Sequence, residues 1–375
     1  MSNRLMYVGI THETASVSER SYYSLDAVQK ETLIVRLERI FPIKGILVLT
    51  TCNRTELYFE SHSATPILVR DSLMDFVQER HKVELNASSF SLLNTTHDTV
   101  KHLLQVSSGL RSAVLGDGQI ITQMRTAFKE TLRQKRQGSL LERAFQSVFR
   151  THKRIAKESL FQSGSSSIAY LSLKLIRGYF QKQYAPNKKV LLIGAGDMIQ
   201  ETLKYLKKFE LTNVYIANRT EAKAKKMAKE YQIKVFDWQR VVDNSIESFD
   251  AVISAVGNRK YLINSIRLYD KKRIWIDLAV PFNIDKSIAN RFNVIYDIDL
   301  IGKGISPESD IQTDAVSAVE NIIYEELEVY ATWLHKHLNR SYLITVQNKK
   351  QQHNATINRD NPMSKDQCPH WNLAV

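Results

Sequence analysis

The sequence predicts an α/β multidomain chain: an α+β unit, a doubly wound parallel sheet and a long C-terminal helix. Three observations carry this. Strand-like and helix-like runs mix over the first 90 residues, helical periodicity dominates from Asp98 to Tyr184, and from Lys188 short apolar runs alternate with helices. At 375 residues the chain is also too long for one ordinary core.

In the first unit "RLMYVGI" reads as a strand, and "SLDAVQKETLIVRLERIF" as an amphipathic helix opened by Ser24. "GILVLTT" and "TELYFES" read as two strands, with "PILVRDSLMDFVQERH" as a second helix. Next come the helices "DTVKHLLQVSSGL" and "GQIITQMRTAFKETLRQKRQ", the latter stopped by Gly138. Ser139 and Glu142 then have the S-x-x-E spacing of a capping box for "SLLERAFQSVFRTHKRIAKES". "FQSGSSSIAY" reads as a linker into one more helix, closing a unit of residues 1–160. Over 161–305 the strands "KKVLLIGAG", "NVYIANRT", "DAVISAV", "RIWIDLAV" and "NVIYDI" carry helices between them, as parallel pairing requires. One long helix is expected over 306–338, and the polar stretch 339–375 has the composition of a disordered tail.

Composition excludes several classes. No apolar run reaches the roughly 20 residues that span a bilayer, and "MSNRLMYVGITHE" lacks the pattern of a secretory leader, so a cytoplasmic protein without a membrane partner is expected. Cys52 and Cys368 lie far apart with no ligand-spaced partners, which argues against a disulfide framework and against a metal site. Net charge is +13, and ten Lys/Arg fall between Arg125 and Lys157 against Glu130 and Glu142 alone. Such a stripe suits a polyanion such as nucleic acid, and equally suits a solvated helix face.

"GAGDMI" follows a strand and opens a helix, the context in which a glycine motif signifies a Rossmann-type dinucleotide site. Gly194 would make the tight turn, and Gly196 would admit the pyrophosphate beside Ala195, Asp197 and Met198. The third motif position is Ile199 rather than glycine or alanine, which is expected to widen the helix–strand contact. After the second strand stand Asn218, Arg219 and Thr220 where an NAD site carries an acid. A guanidinium there suits a 2′-phosphate, so the expected cofactor is NADPH.

"LTTCNRTELYF" places a free thiol, Cys52, two residues before Arg54 where a strand breaks. A cation can lower a thiol's pKa, and Arg54 could instead fork onto a substrate carboxylate. A buried cysteine acting as a small hydrophobe is the competing reading, against which stand the polar neighbours Thr50, Thr51, Asn53 and Arg54.

"TTCNRTELY" resembles the signature loop of the glutamyl-tRNA reductase family, and "HLLQVSSGLRSAVLGDGQIITQ" is similar to its second block. "VLLIGAGDM…IANRT" and "IDLAVPFNID" resemble its cofactor domain, so the co-linear blocks span about residues 4 to 335. The resemblance implies NADPH-dependent reduction of glutamyl-tRNA(Glu) to glutamate-1-semialdehyde through a thioester on Cys52, the first step of 5-aminolevulinate and porphyrin synthesis. It gives Thr51, Asn53, Arg54, Ser112, Asp117, Gly118, Gln119 and Gln123 to the substrate and an activity role to His102. It also implies a homodimer and a hand-off to glutamate-1-semialdehyde aminomutase. Arg111 stands where the family usually has Asp, Asp117-Gly118 replaces Glu-Pro, and the region after the long helix is short. Two alternatives are a shikimate-dehydrogenase-like NADP oxidoreductase acting on a free small molecule and a non-catalytic tRNA-binding regulator.

Overall fold

The computed structural model describes residues 2–159, 161, 168–181, 187–257, 259–267, 271–303 and 310–360. Strand β1 (Arg4–Thr11) leads into the short helix α1 (Val17–Tyr22) and then α2 (Ala27–Ile40). The cap of α2 is Asp26 in a reciprocal capping box with Gln29, rather than Ser24, because a carboxylate three residues before a glutamine satisfies two orphan amides at once. Strands β2 (Ile43–Thr50) and β3 (Arg54–Ser61) form an antiparallel hairpin, α3 (Pro66–His81) starts on a proline that needs no donor, and β4 (Ser91–Leu93) completes a sheet of order β2-β3-β1-β4.

Both faces of that sheet are covered. Met6, Val8, Leu57 and Phe59 face Leu33 and Leu37 of α2 and Val69 and Leu73 of α3. Leu5, Tyr7, Leu47 and Tyr58 face α4 (Thr96–Ser108), α5 (Gln119–Arg133) and α6 (Ser139–Glu158). Gly138 is the N-cap of α6 at φ 57 rather than the stop of α5, and Ser139 already lies inside the helix with no side-chain cap bond. The predicted Ser139–Glu142 box is therefore absent. Glu60 of β3 takes its place, its carboxylate accepting from Leu140 N at 2.9 Å and placing negative charge at the helix's positive end.

Helix α7 (Ile168–Gln181) leads to the second sheet, while residues 162–167 of the expected linker lie outside the described residues. The remaining elements are β5 (Val190–Ile193), α8 (Asp197–Tyr205), β6 (Val214–Ala217), α9 (Glu221–Tyr231), β7 (Lys234–Val235), α10 (Trp238–Val242), β8 (Ala251–Ser254), β9 (Arg273–Asp277), β10 (Asn293–Asp297) and α11 (Ile298–Lys303). All six strands pair in parallel in the order β10-β9-β8-β5-β6-β7. The strand order reverses between β5 and β8, the crevice where doubly wound sheets bind ligands.

The last helix, α12 (Asp310–Asp360), runs past Leu338, where the sequence reading ended it. Its opening half packs Val319, Ile322, Ile323, Leu327 and Tyr330 onto the helical layer of the first unit. The polar composition after 338 removes the apolar anchor without containing a proline before Pro362, so the helical hydrogen bonds continue. Residues 361–375, with Cys368, lie outside the described residues.

Candidate active site

Cys52 sits at the tip of the β2–β3 hairpin. Thr50 pairs with Thr55, Thr51 N donates to Arg54 O at 2.9 Å, and Thr51 Oγ1 accepts from Asn53 N at 3.1 Å. From the neighbouring strand, His12 N donates to Asn53 O at 2.8 Å, so the turn is held on two sides. The apolar run therefore breaks because the chain reverses there, and the reversal presents the thiol. Cys52, half-buried, shares a cavity of ≈ 20 Å³ with Thr51, Asn53, Arg54, Ser112, Asp117, Gln119 and Gln123. Seven of the predicted substrate residues thus converge on the thiol, and Gly118 lines the adjoining cleft.

The same cavity is closed by Ile168 and by Met198 of α8, which belong to the second unit's packing, and Cys52 itself packs against that unit's core. The thiol and the start of the nucleotide helix are therefore neighbours. A cleft of ≈ 560 Å³ continues outward between Asp117–Arg125 and Asp197–Tyr205, bounded also by His152. Asp197 and Met198, expected at the cofactor, face the first unit across this seam.

Burial pushes the Cys52 thiol up to about 11, with the Asp117 carboxylate adding to the rise while Arg20 and Arg54 pull the other way. Burial likewise raises Asp117 to about 6, against the hydrogen bond from Gln119 N and with help from Glu201. The closed arrangement thus keeps the sulfur protonated. Alkylation of Cys52 by iodoacetamide should keep accelerating above pH 9 and level off only near pH 11, because the thiolate is the reacting form. A plateau at pH 8.5 in a rate-against-pH series would contradict this closed seam.

Behind the hairpin lies a carboxylate that the sequence reading did not single out. Glu56, fully buried, accepts from Arg54 Nη1 at 2.7 Å, Tyr58 Oη at 2.7 Å and Tyr7 Oη at 3.3 Å. His102 Nε2 stands 3.4 Å from Glu56 Oε1, in electrostatic reach but not aligned as a hydrogen bond, and its ring lies 4.2 Å from that of Tyr7. Burial alone would raise the Glu56 carboxyl, yet Arg54, His102 and Tyr58 outweigh it and hold it at about 2. Arg54, which also donates to Arg111 O, is therefore a fixed cation at the cavity wall. His102 is placed against Glu56 and does not line the Cys52 cavity. In the sequence Glu56 shows only as one of the residues Arg54, Glu56, Tyr58 and Glu60 that alternate with Thr55, Leu57 and Phe59 along β3.

The turn after β5 fits a dinucleotide. Gly194 has φ +116, and a Cβ there would meet Ala255 O at 2.6 Å, so only glycine is accommodated. Nothing lies within 4 Å of a Cβ built on Gly196, which leaves open space at the N-terminus of α8, where no side chain caps the amides. Ile199 is fully buried in the second unit's core, and the Cβ position of Gly194 lies 3.5 Å from its Cγ1. The bulky third residue packs under the turn instead of prising it open. Asn218 Nδ2 donates to Thr220 O at 3.0 Å, leaving Arg219 exposed and without an ion pair among the described residues. Arg219→Ala should raise the KM for NADPH about 10- to 100-fold while leaving that for NADH unchanged, the loss expected of one charge-assisted contact. Equal KM changes for both cofactors in steady-state assays would remove Arg219 from the 2′-phosphate.

The basic stripe is largely consumed by the fold. Arg136 pairs with Glu31 and Glu38, Arg150 and Arg154 with Glu326 and Glu325 of α12, and Arg133 with Glu130, while Arg143 lies over Trp333 and Arg125 over Phe149. Lys129, Lys135, Lys153 and Lys157 stay exposed. Arg111, the departure in the second block, pairs with Glu13 at 3.1 Å. Among the described residues no acidic, histidine and cysteine group could hold a metal, and no helix is long and apolar enough to cross a membrane.

A parallel sheet with a glycine turn at its reversal point, and a thiol-bearing hairpin docked against that turn, define a dinucleotide-dependent oxidoreductase built on two units. Residues 8–159 match the family described as "Glutamyl-tRNAGlu reductase, N-terminal domain", and 179–302 match "Shikimate / quinate 5-dehydrogenase". The chain is 30% identical over 356 residues to the glutamyl-tRNA reductase of Chlorobium phaeobacteroides, covering 92% of this chain and 82% of that one. It is 31% identical over 337 residues to that of Carboxydothermus hydrogenoformans, covering 88% and 74%. The chain belongs to the glutamyl-tRNA reductase family. Among solved structures the fold resembles that of glutamyl-tRNA reductase from Methanopyrus kandleri, with a TM-score of 0.51 at 22% identity over 94% of this chain and 87% of that one.

Proposed function

We propose that this chain reduces glutamyl-tRNA(Glu) to glutamate-1-semialdehyde by way of an acyl thioester on Cys52. The observation that carries the reading is the position of Cys52 at a hairpin tip, inside a polar cavity whose far wall is Met198 of the nucleotide helix. A thiol placed there can take an acyl group from one side and present it to a hydride donor on the other.

A cavity of ≈ 20 Å³ holds about one water, so the glutamyl group enters only when the seam opens. Opening removes part of the burial that protonates the sulfur, while Arg20 and Arg54 continue to favour the thiolate. The thiolate attacks the ester carbonyl, the C–O bond to the tRNA ribose breaks, and the thioester remains. Arg54, fixed by Glu56, and Thr51, Asn53, Ser112, Gln119 and Gln123 bind the glutamyl moiety, with Asp117 and Gly118 shaping the entrance. His102, packed against Glu56 and Tyr7 behind this wall, helps to position it. Bound NADPH supplies the hydride. The turn Gly194-Ala195-Gly196-Asp197-Met198 would hold its pyrophosphate, with Ile199 supporting the turn, and Asn218, Arg219 and Thr220 its 2′-phosphate end. When the C–S bond breaks, the released thiolate takes a proton and the site resets.

The test is capture. Protein incubated with 14C-glutamyl-tRNA in the absence of NADPH should carry one label per chain on the peptide containing Cys52, lost on hydroxylamine treatment. Label elsewhere, or none, would falsify the thioester. A free small-molecule dehydrogenase would need no thiol beside the nucleotide turn. The same reading gives a homodimer through α12 and hand-off of the aldehyde to glutamate-1-semialdehyde aminomutase, both resting on the family resemblance, in the cytoplasmic setting expected from the sequence.

A further inference from the structure

The seam between the two units carries an ion pair whose partners stand 279 residues apart. Arg20 of α1 forks onto Asp299 of α11, with Nη2 2.7 Å from Oδ1 and Nη1 3.4 Å from Oδ2, while Nη1 also donates to Ala15 O at 2.6 Å. Arg20 is 3% exposed and Asp299 24%, so the pair is shielded from the screening that makes most surface pairs negligible. Around it, Val17 of α1 and Val114 join the same buried cluster as Ile298 and Ile301 of α11. A Cβ on Gly302 would come within 3.0 Å of Ala113 O, so α11 lies directly against the loop that carries Ser112. Cys52 and Met198 pack onto this cluster too. The contacts that shut the cavity and the contacts that surround this fork are therefore continuous.

We propose that Arg20 and Asp299 form a clasp that holds the nucleotide unit closed over Cys52 once tRNA has left, keeping the glutamyl thioester from water. The proposal rests on the reading of Cys52 as the acyl carrier. Two reactions compete at one carbonyl carbon. When water attacks, its oxygen bonds to the carbon, the C–S bond breaks, the thiolate takes a proton, and glutamate leaves with no change of oxidation state. When hydride arrives instead, the C–S bond breaks to give the aldehyde. With the seam closed, the ≈ 20 Å³ at the sulfur admits about one water while the acyl chain would reach into the adjoining ≈ 560 Å³ cleft, and an open seam admits the solvent. Arg20 and Asp299 line neither the thiol cavity nor the cleft, so they are positioning residues.

The full-length protein, labelled on Cys52 from 14C-glutamyl-tRNA without NADPH, is freed of tRNA and followed for release of free glutamate. Asp299→Asn should capture the same amount of label and release it about tenfold faster, with Cys52 alkylation in the absence of tRNA accelerating in parallel. Asp299→Glu, which keeps a carboxylate, should restore slow release. Should Asp299→Asn fail to fold, Arg20→Lys reads the same quantity, since an ammonium keeps the charge and loses the fork. Equal capture with unchanged release and alkylation overturns the clasp alone. Failure of the unaltered protein to capture any label overturns the acyl-carrier reading, and the clasp with it.

Discussion

Cys52→Ser is expected to lower semialdehyde formation from glutamyl-tRNA by at least about 10³-fold, equivalent to roughly 4 kcal/mol of transition-state stabilisation. The serine hydroxyl is nearly isosteric, so the hairpin bonds between Thr51, Asn53 and Arg54 should survive. What changes is the replacement of sulfur by oxygen: a hydroxyl ionises far less readily than a thiol, and no histidine lines its cavity to take the proton. Even if acylated, an oxygen ester is a poorer hydride acceptor than a thioester. Two measurements separate these effects. Semialdehyde output reads the whole path, and 14C capture reads acylation alone. Cofactor binding, followed by NADPH fluorescence, should be unchanged because the glycine turn is built by β5, β8 and α8. A serine variant that makes semialdehyde at the unaltered rate would end the thioester account.

How much of this was legible beforehand depends on whether the signal was local. The strands of the second unit read as short apolar runs because both faces of a parallel sheet are covered, so Val190–Ile193 and Ala251–Ser254 are fully buried. Helix α3 runs from Pro66 to His81, as its sequence predicts. β4 and β7, three and two residues long, gave no periodicity to read. The Ser139–Glu142 box failed because Glu60, distant in sequence, reaches the start of α6 first. The ion pairs within the basic stripe were hidden for the same reason, since Glu325 and Glu326 lie beyond the nucleotide unit in sequence and yet lie beside Arg150 and Arg154 in space.

The candidate site divides along the same line. The cluster from Thr51 to Gln123 was visible as motifs, and the structure places most of it around one cavity. The closure by Met198 was not visible, because Asp197 and Met198 read only as neighbours of a phosphate-binding turn. Nor was the role of Glu56, an acid whose importance depends on four partners from β1, β3 and α4.

That acid yields the second large effect. Glu56→Gln should destabilise the first unit by about 3–5 kcal/mol, the cost typical of breaking a fully buried ion pair by removing one charge. Arg54 is 3% exposed and would keep its charge with no counter-ion at hydrogen-bonding distance. The chain holds more than one unit, so a single unfolding midpoint is a poor readout, and native-state hydrogen exchange of the β1 and β3 amides is the suitable measurement. The pH dependence has a definite sign. The Glu56 carboxyl is held at about 2 in the folded chain, below its ordinary value of 4.5, so its stabilisation is complete above about pH 4.5 and is lost as the pH falls towards 2. The gap between the unaltered protein and Glu56→Gln should therefore be widest at neutral pH and close across that acidic window. A double variant, Arg54→Met with Glu56→Leu, should recover much of the stability, since buried pairs are often replaceable by apolar side chains. It should recover none of the activity, because Arg54 is the cation at the cavity wall. Recovery of both would show that the pair serves the fold alone, whereas stability without turnover ties the Glu56–Arg54 fork to the substrate.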